Sequence, residues 1–386
     1  MPSPSTSLHA DTAPPADATA IGAPPDRRPR LPVRFSVCIP AYNRARHLGP
    51  LLDSAFSQDY DHFDVVIVED LSPEREQIRE IASAYGARYP GRVKYVENAE
   101  NLGYDANFRE LLRNATGEYV FIMGNDDLIA PGALRTVARA IERHGDVGVV
   151  LRTTAYFRGT PDQIHTVARY FPDEMLFDPG PDTVVTFFRR LVTMSGIVLN
   201  RDEALRHETD RFDGTLFYQL HLAAHMLMRM RGLYLPQVLS YHRKDGVPEF
   251  GTSVREKGKF VPGVQPPETS LRMLQAHLDI AEDAGQRLGF PLRARVHRDL
   301  GTYMYPTLAH QAHVPVRTFL RFYADLLRMG FWRYPHVHAY TLAILTLGTR
   351  RLDRLIYWTR RRLGHTPVIG LRPKPVARVA TPDVRS

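Results

Sequence analysis

One stretch of the chain, EYVFIMGNDD, joins a buried-strand pattern to a cluster of polar side chains. Its apolar run, 119–123, leads into Gly124 and then into Asn125, Asp126 and Asp127. Two neighbouring carboxylates with an amide beside them suit a hard divalent cation and an anionic ligand. A solvated Asn-Asp-Asp turn that caps the following helix accounts for the same residues. The stretch alone leaves both interpretations open.

The surrounding sequence predicts the elements that position these side chains. Apolar runs of strand length alternate with amphipathic patterns of helix length. The predicted strands are 33–39, 63–68, 93–96, 119–123 and 147–151, and the predicted helices are 45–57, 73–88, 105–114 and 131–144. This alternation indicates an α/β fold with a mainly parallel sheet that helices cover on both faces.

A parallel sheet gathers its functional residues at the carboxyl ends of its strands. The predicted ends carry PAYN at 40–43, Glu69 with Asp70, Glu97 with Asn98, and the Asn-Asp-Asp cluster. The first end holds neither G-x-G-x-x-G nor a P-loop lysine, which disfavours a dinucleotide dehydrogenase and a P-loop NTPase. The residues present suit a nucleotide diphosphate that is held through a metal: an aromatic ring to flank the base, carboxylates for a base N–H and for a cation.

Four segments in order resemble the family 2 glycosyltransferases with the GT-A fold: FSVCIPAYNR at 35–44, VVIVED at 65–70, NAENLG at 98–103 and GEYVFIMGNDD at 117–127. The resemblance is strong over 33–151. The sequence NLGYDAN and the form Gly-Asn-Asp-Asp are most similar to the abequosyltransferase-like branch, which decorates lipid-linked bacterial glycans.

The resemblance implies a set of residues that bind a nucleotide-sugar donor. They are Pro40, Ala41, Tyr42, Asn43, Asp70, Asn107, Asn125 and Asp126. It also implies that Asp126 and Asp127 hold Mg²⁺ or Mn²⁺. Where relatives usually have Leu-Asp-x-Asp-Asp, this chain has Gly124 in place of the first aspartate, so the carboxylate cluster is one acid short. His242, at a later strand end, is either a third metal ligand or part of a surface turn.

An inverting transferase needs a carboxylate that removes the proton of the acceptor hydroxyl. Relatives often supply it from a Glu-Asp pair after Phe-Asp, and here Gln219 and Leu220 stand where that pair is expected. The sequence therefore predicts Asp213 as the base, with Asp210 as second candidate. His221 is a weaker candidate because a histidine among apolar helix residues is usually structural.

The remaining chain divides into predicted regions. Residues 1–32 have the composition of a disordered segment, 33–243 form the GT-A domain, 244–347 hold a long loop and helices, and 348–386 form a basic amphipathic tail. Within the domain we expect an irregular segment at 152–180. Further helices are predicted at 182–191, 215–231, 268–288, 291–311, 315–329, 336–347 and 350–363, and further strands at 195–199 and 233–240.

The net charge of +8 belongs to the tail, where ten Lys and Arg residues from 348 onwards face two aspartates. The rest of the chain is balanced, which disfavours a nucleic-acid-binding surface. Residues 350–363 have the composition of a helix that lies on an anionic membrane surface; a packing helix with solvated arginines is the alternative. The single buried-pattern cysteine, Cys38, and the lack of a signal-like or spanning apolar stretch predict a cytoplasmic protein, peripheral on the inner membrane face if the tail binds lipid.

The predicted function is transfer of a sugar from a nucleotide diphosphate sugar to a glycan or polyprenyl-linked acceptor, inverting and metal-dependent, in the biosynthesis of cell-surface polysaccharide. A non-catalytic GT-A domain that binds nucleotide or glycan in a larger assembly is the alternative, motivated by the missing acids. A sugar-1-phosphate nucleotidyltransferase would need a Gly-rich basic loop after the first strand, and 40–43 has different chemistry.

Overall fold

Strands and helices alternate from Phe35 to Arg158 in the order that the hydrophobic pattern predicts. The computed structural model describes residues 32–246, 249–368 and 375–379. Its first elements are β1 (Phe35–Ala41), α1 (Ala45–Phe56), β2 (Phe63–Glu69), α2 (Arg75–Arg88), β3 (Val93–Glu97), α3 (Tyr104–Asn114), β4 (Tyr119–Ile122), β5 (Leu128–Ile129), α4 (Ala133–His144) and β6 (Val147–Arg158). The predicted bounds agree to within a residue or two, except that β6 is much longer and β5 was not predicted.

The prediction of an irregular segment at 152–180 is wrong. β6 continues through its first part, and Gly159, with φ of 65°, reverses the chain into an antiparallel partner strand. That partner is polar and largely exposed, so it lacks the apolar alternation that marks a strand in a sequence. The elements that follow β6 are β7 (Thr160–Ala168), β8 (Glu174–Phe177), α5 (Pro181–Phe188), β9 (Ile197–Asn200), α6 (Arg201–Arg206), α7 (Tyr218–Met226) and β10 (Arg231–Arg243).

The last third of the described chain is helical, as predicted. It contains α8 (Pro267–Leu288), α9 (Leu292–Thr302), α10 (Tyr305–Gln311), α11 (Val316–Arg328), α12 (Pro335–Leu347), α13 (Thr349–Leu363) and a short strand, β11 (Ala377–Val379). The single helix predicted at 291–311 is two helices, because Pro306 has no N–H to donate to the carbonyl four residues earlier and is tolerated in the first turn of α10 but not inside one continuous helix. The predicted disordered segment 1–32 lies outside the described residues except for Pro32.

The sheet is mixed and mostly parallel. Among the described residues the strand order is β11-β8-β10-β6-β9-β4-β1-β2-β3. β1, β2, β3, β4, β6 and β10 run in one direction, and β9 lies antiparallel between β4 and β6. β1 is the central strand of the N-terminal half, since Phe35 is in register with Phe63 on one side and Tyr119 on the other. The predicted fold class is confirmed.

The core consists of two apolar layers, one on each face of the sheet. Val37 and Ile39 face the layer that α1 and α4 cover, whereas Cys38 faces the layer built by α3, α5, α7 and the helices from α8 onwards. This follows from the alternation of side chains along a strand. Burial raises the pKa of the Cys38 thiol, in keeping with a structural cysteine.

The helices from α8 onwards therefore bury apolar side chains in the same core layer as Cys38, α3, α5 and α7. The domain boundaries predicted at 243 and 347 stay predictions. Across residues 32–246, 249–368 and 375–379, the structure contains no helix with the length and hydrophobicity of a membrane span.

Gly117 permits the close approach of the α3–β4 connection to β1, and this contact provides a test of the fold. Its N–H donates to Ser36 Oγ (2.8 Å), and a Cβ at this position would clash with backbone atoms of Phe35 and Ser36. We expect Gly117→Ala to lower the free energy of unfolding by about 2–3 kcal/mol in urea denaturation, because backbone cannot yield as a side chain can. Gly86→Ala, in a helix with open space around the new Cβ, is the control and should be neutral or stabilising by up to about 1 kcal/mol. Equal stability of the two variants would contradict the packing described.

Candidate functional site

A cavity of about 510 Å³ opens at the carboxyl ends of β1, β2 and β4. It is lined by eight of the residues predicted from the sequence: Pro40, Tyr42, Asp70, Asn107, Asn125, Asp126, Asp127 and His242. As predicted from the strand ends, the fold brings together residues that are up to about two hundred positions apart in the chain. Ala41 and Asn43 adjoin the lining residues in β1 and the turn after it, whereas Asp210 and Asp213 are not among the lining residues.

The turn after β1 is held in an unusual backbone conformation. Asn43 and Arg44 have φ of 51° and 60°, in the left-handed region that non-glycine residues seldom occupy. The side-chain amide of Asn125 donates to the carbonyl oxygens of Tyr42 (3.3 Å) and Asn43 (2.8 Å). Asn125 therefore fastens the end of β4 to the turn after β1, which is a structural role additional to the predicted donor contact.

Asp70 is buried at the end of β2 and organises the loop before α3. Its Oδ1 accepts hydrogen bonds from Asn98 Nδ2 and the backbone N–H of Leu102, and its Oδ2 accepts one from the N–H of Gly103, each at 2.8 Å. Burial raises the pKa of Asp70 to about 6, although these donors oppose the shift. Oδ2, with a single donor, retains a lone pair for a group in the cavity.

Asn107 lies beside Asp70 in the first turn of α3. Its Oδ1 accepts from Asn98 Nδ2 (3.1 Å), and its Nδ2 donates to the carbonyl of Val68 (3.2 Å). Asn98 thus bridges Asn107 and Asp70, so the three side chains form one buried network. This network places Asn107 at the cavity, as expected, and gives it a structural partner on β2.

Asp127 is fixed by donors on both oxygens. Its Oδ2 accepts from Ser195 Oγ (2.5 Å) and its Oδ1 from the N–H of Arg243 (2.8 Å). Burial raises its pKa to about 6. Ser195 Oγ also accepts from the N–H of Gly124 (2.8 Å), and a Cβ on Gly124 would lie 3.1 Å from that hydroxyl. Ser195 therefore fills the space beside Gly124.

Asp126 points into the cavity and forms an ion pair with Arg44, whose Nη1 lies 3.0 Å from Asp126 Oδ2. Burial, and then the charge of Asp127, raise the pKa of Asp126. Gly246 packs closely against the same carboxylate, since a Cβ there would lie 2.9 Å from Oδ2. Asp126 is thus the carboxylate of the pair that faces the ligand space, and its partner in this structure is a guanidinium.

His242 and the two aspartates are not arranged around one position that a metal ion could occupy. Its Nε2 lies 3.1 Å from the carbonyl oxygen of Ser195, to which it donates, and 3.2 Å from Ser240 Oγ. Burial lowers its pKa to about 3, so the ring is neutral. The described part of the chain contains no group of three His, Cys, Asp or Glu side chains arranged to hold a metal ion. A divalent ion fits here only in the way Mg²⁺ often binds, with Asp126 as protein ligand and phosphate oxygens and water for the rest.

The two residues predicted as the base lie apart from the cavity. Asp213 pairs through both carboxylate oxygens with Arg109, and Arg255 also contacts it; its side chain is 6% exposed. Asp210 is exposed to solvent. His221 is buried with Nε2 on the carbonyl of His207 (2.9 Å), and burial lowers its pKa to about 4, which favours a structural role.

Sequence reasoning missed four side chains of the site. Ser195 and the loop residues Glu249 and Glu256 gave no signal, because they stand far from the strand-end motifs. Glu256 is buried and accepts from the N–H groups of Tyr104 and Gly251, both at 2.8 Å. Arg44 was part of the FSVCIPAYNR motif, and its basic side chain beside a predicted anion site was the signal that went unused.

The sheet order, the helices on both faces and the cavity with polar side chains at the strand ends are those of a GT-A type α/β protein. Residues 36–197 match the sequence profile described as Glycosyl transferase family 2. Residues 36–197 therefore match a family 2 glycosyltransferase domain, as the motifs indicated.

Curated relatives align with the N-terminal part of the chain. "Putative glycosyltransferase EpsE" of Bacillus subtilis is 31% identical over 117 residues, which are 30% of this chain and 41% of that protein. Abequosyltransferase RfbV of Salmonella typhimurium is 30% identical over 113 residues, 29% of this chain and 34% of that protein. The aligned part spans less than half the length of each of these relatives.

Solved structures align over more of the chain at low identity. Staphylococcus aureus TarS 1–349 in complex with UDP has a TM-score of 0.47 and 16% identity, covering 86% of this chain and 92% of that one. The mannosyltransferase PcManGT of Pyrobaculum calidifontis, in complex with GDP-Man and Mn²⁺, has a TM-score of 0.46 and 18% identity, covering 83% and 88%.

Asp213 gives a test that separates a structural ion pair from a catalytic base. Because Asp213→Asn leaves the nearly buried Arg109 without its counter-charge, we expect a loss of about 3 kcal/mol in the free energy of unfolding in urea. Asp210→Asn is the control, because it removes the same charge from an exposed side chain three positions earlier. It should change the free energy of unfolding by less than about 0.5 kcal/mol. If Asp213→Asn kept full stability and lost only turnover, the predicted catalytic role would be favoured instead.

Proposed function

We propose that this protein is a glycosyltransferase that moves a sugar from a nucleotide diphosphate sugar to a glycan or lipid-linked acceptor in cell-surface polysaccharide biosynthesis. The observation that carries the proposal is the cavity in which Tyr42, Asp70 and Asp126 converge from three strand ends. Its volume of about 510 Å³ lies in the range of small-molecule sites. The match to the family 2 profile and the similarity to abequosyltransferase RfbV support it.

In this proposal Tyr42 flanks the base and ribose, and Asp70 Oδ2 accepts from a base N–H. Asn125 holds the turn that carries Tyr42, and Asp126 lies where the diphosphate must pass. A Mg²⁺ or Mn²⁺ ion bound by Asp126 and the diphosphate would supply charge stabilisation to the leaving group. The base and sugar of the donor are part of the proposal only as a class.

The proton of the acceptor hydroxyl requires a base near the cavity. The contacts of Asp213 with two guanidinium groups weigh against it, and the exposure of Asp210 outside the cavity weighs against that residue. Among the lining carboxylates Glu249 is partly exposed, at 30% of its side chain; it accepts a hydrogen bond from Asn43 (3.2 Å) and lies 3.9 Å from Arg44 Nε. We therefore add Glu249 to the candidates for a base in an inverting displacement.

The donor proposal is tested with purified protein and a panel of UDP-, GDP-, dTDP- and CDP-sugars, with and without Mn²⁺. We expect at least one donor to be hydrolysed or transferred. Asp126→Ala should lower that turnover at least about 100-fold, because it removes the carboxylate that faces the diphosphate. Asp61→Ala, an exposed acid outside the cavity, is the control and should keep wild-type turnover.

Two outcomes of the panel count against the proposal. Binding of a nucleotide without hydrolysis or transfer of any donor would favour the non-catalytic alternative. Full activity of Asp126→Ala with Mn²⁺ present would contradict the role given to Asp126.

We also propose that the C-terminal helices rest on an anionic membrane surface. α13 carries six arginines and one aspartate, and it buries Leu352 alone. Its Leu355 and Trp358 are 57% and 56% exposed, and α12 adds Leu342 at 64%. Large exposed apolar side chains between arginines are typical of helices that lie in the headgroup region of a bilayer. Such contact would bring the site to a lipid-linked acceptor.

The membrane proposal is tested by co-sedimentation with liposomes that contain about a third phosphatidylglycerol, compared with pure phosphatidylcholine. We expect wild-type protein to bind the anionic liposomes and to be released by salt. Leu355→Gln/Trp358→Gln should reduce the bound fraction several-fold, whereas Val316→Gln, an equally exposed apolar residue on α11, should not. Equal sedimentation of wild type and the double variant would show that α13 is not the anchor.

A further inference from the structure

The cation that faces Asp126 in this structure belongs to the protein itself. Arg44 Nη1 lies 3.0 Å from Asp126 Oδ2, and Arg44 Nε lies 3.9 Å from Glu249 Oε1. The side chains of Arg44 and Asp126 are only 20% and 13% exposed, and both line the cavity. An ion pair this shielded is screened by salt less than a surface pair.

The backbone is built to aim Arg44 across the cavity. Two consecutive non-glycine residues, Asn43 and Arg44, occupy the left-handed region, which costs free energy and persists only where the surroundings impose it. Asn125 imposes it by donating to the carbonyls of Tyr42 and Asn43. Because Asn125 precedes Asp126 in the chain, one side chain fixes both the turn that carries Arg44 and the loop that carries its partner.

Of the two neighbouring aspartates and His242, Asp126 is the side chain left for a cation in the cavity. Both oxygens of Asp127 are engaged by Ser195 and Arg243, and His242 donates to a carbonyl. A divalent ion and the Arg44 guanidinium therefore compete for the same carboxylate. A diphosphate that enters the cavity offers Arg44 a second anionic partner, of the kind that guanidinium groups bind well.

We propose that Arg44 is a positioning residue that exchanges Asp126 for the diphosphate when the donor binds. This inference rests on the proposed donor function. In the ligand-free protein the ion pair with Arg44 keeps Asp126 from binding a metal ion. When the diphosphate binds, Arg44 moves to it and Asp126 becomes available to the metal. Metal and diphosphate binding are then coupled, and by linkage each raises the affinity for the other. Arg44 also adds a positive charge beside the leaving diphosphate that partly offsets the acid missing at Gly124.

The exchange is tested by measuring Mn²⁺ affinity from the free-ion electron paramagnetic resonance signal, with and without UDP and GDP. Arg44→Gln should bind Mn²⁺ alone about tenfold more tightly than wild type, because the competitor for Asp126 is gone. The same variant should bind the nucleoside diphosphate about tenfold more weakly without metal, and the factor by which the diphosphate raises Mn²⁺ affinity should shrink. Arg44→Lys, which keeps the charge, should restore wild-type behaviour in large part.

Arg46→Gln is the matched control, since it removes an exposed positive charge two residues away and should leave both affinities unchanged. Arg44→Met, of similar length, repeats the measurement if the glutamine variant melts at a lower temperature. Mn²⁺ affinities equal to wild type in both uncharged variants would overturn the exchange. If wild-type protein bound none of UDP, GDP, dTDP and CDP, the donor function itself would fail, which is a separate result.

Discussion

The burial of three carboxylates at the ends of parallel strands is the constraint on which the rest of this structure depends. Burial raises the pKa of Asp70, Asp126 and Asp127, so each ionised group must recover its lost hydration from the protein. Asp70 obtains it from the loop before α3, Asp127 from Ser195 and β10, and Asp126 from Arg44. The loops around the cavity adopt their conformations because they supply these donors.

The hydrophobic pattern predicts most of the N-terminal half because its strands are buried on both faces and its helices are amphipathic. β1, β2 and β4 each contain an apolar run, and a residue that lines the cavity follows each run within three positions: Tyr42, Asp70 and Asn125. The pattern does not predict polar or exposed strands. β7 is an example, because its burial shows no periodic alternation. The two-residue strand β5 is too short for any pattern to reveal.

The site could be predicted where one residue follows one strand, and not where a contact joins distant segments. Asp213 matched a family motif by sequence, yet its environment is set by Arg109 and Arg255, which no local pattern connects with it. The space beside Gly124 is similar. From the sequence, glycine there means a missing acid, and only the fold brings Ser195 into the gap. The site therefore has two carboxylates, Asp126 and Asp127, and the hydroxyl of Ser195, which donates its hydrogen bond to Asp127.

The C-terminal half belongs to the site and is not an appendage to it. Glu256 accepts from the N–H of Tyr104 at the start of α3, and the same loop brings Glu249 to Asn43. Gln265, just before α8, and Met273, in the second turn of α8, line the cavity beside the residues of the strand ends. Because α8 shares its buried layer with α7, a displacement of the C-terminal helices would also move one wall of the cavity. If α12 and α13 contacted a surface, that contact would be linked through α8 to one wall of the cavity.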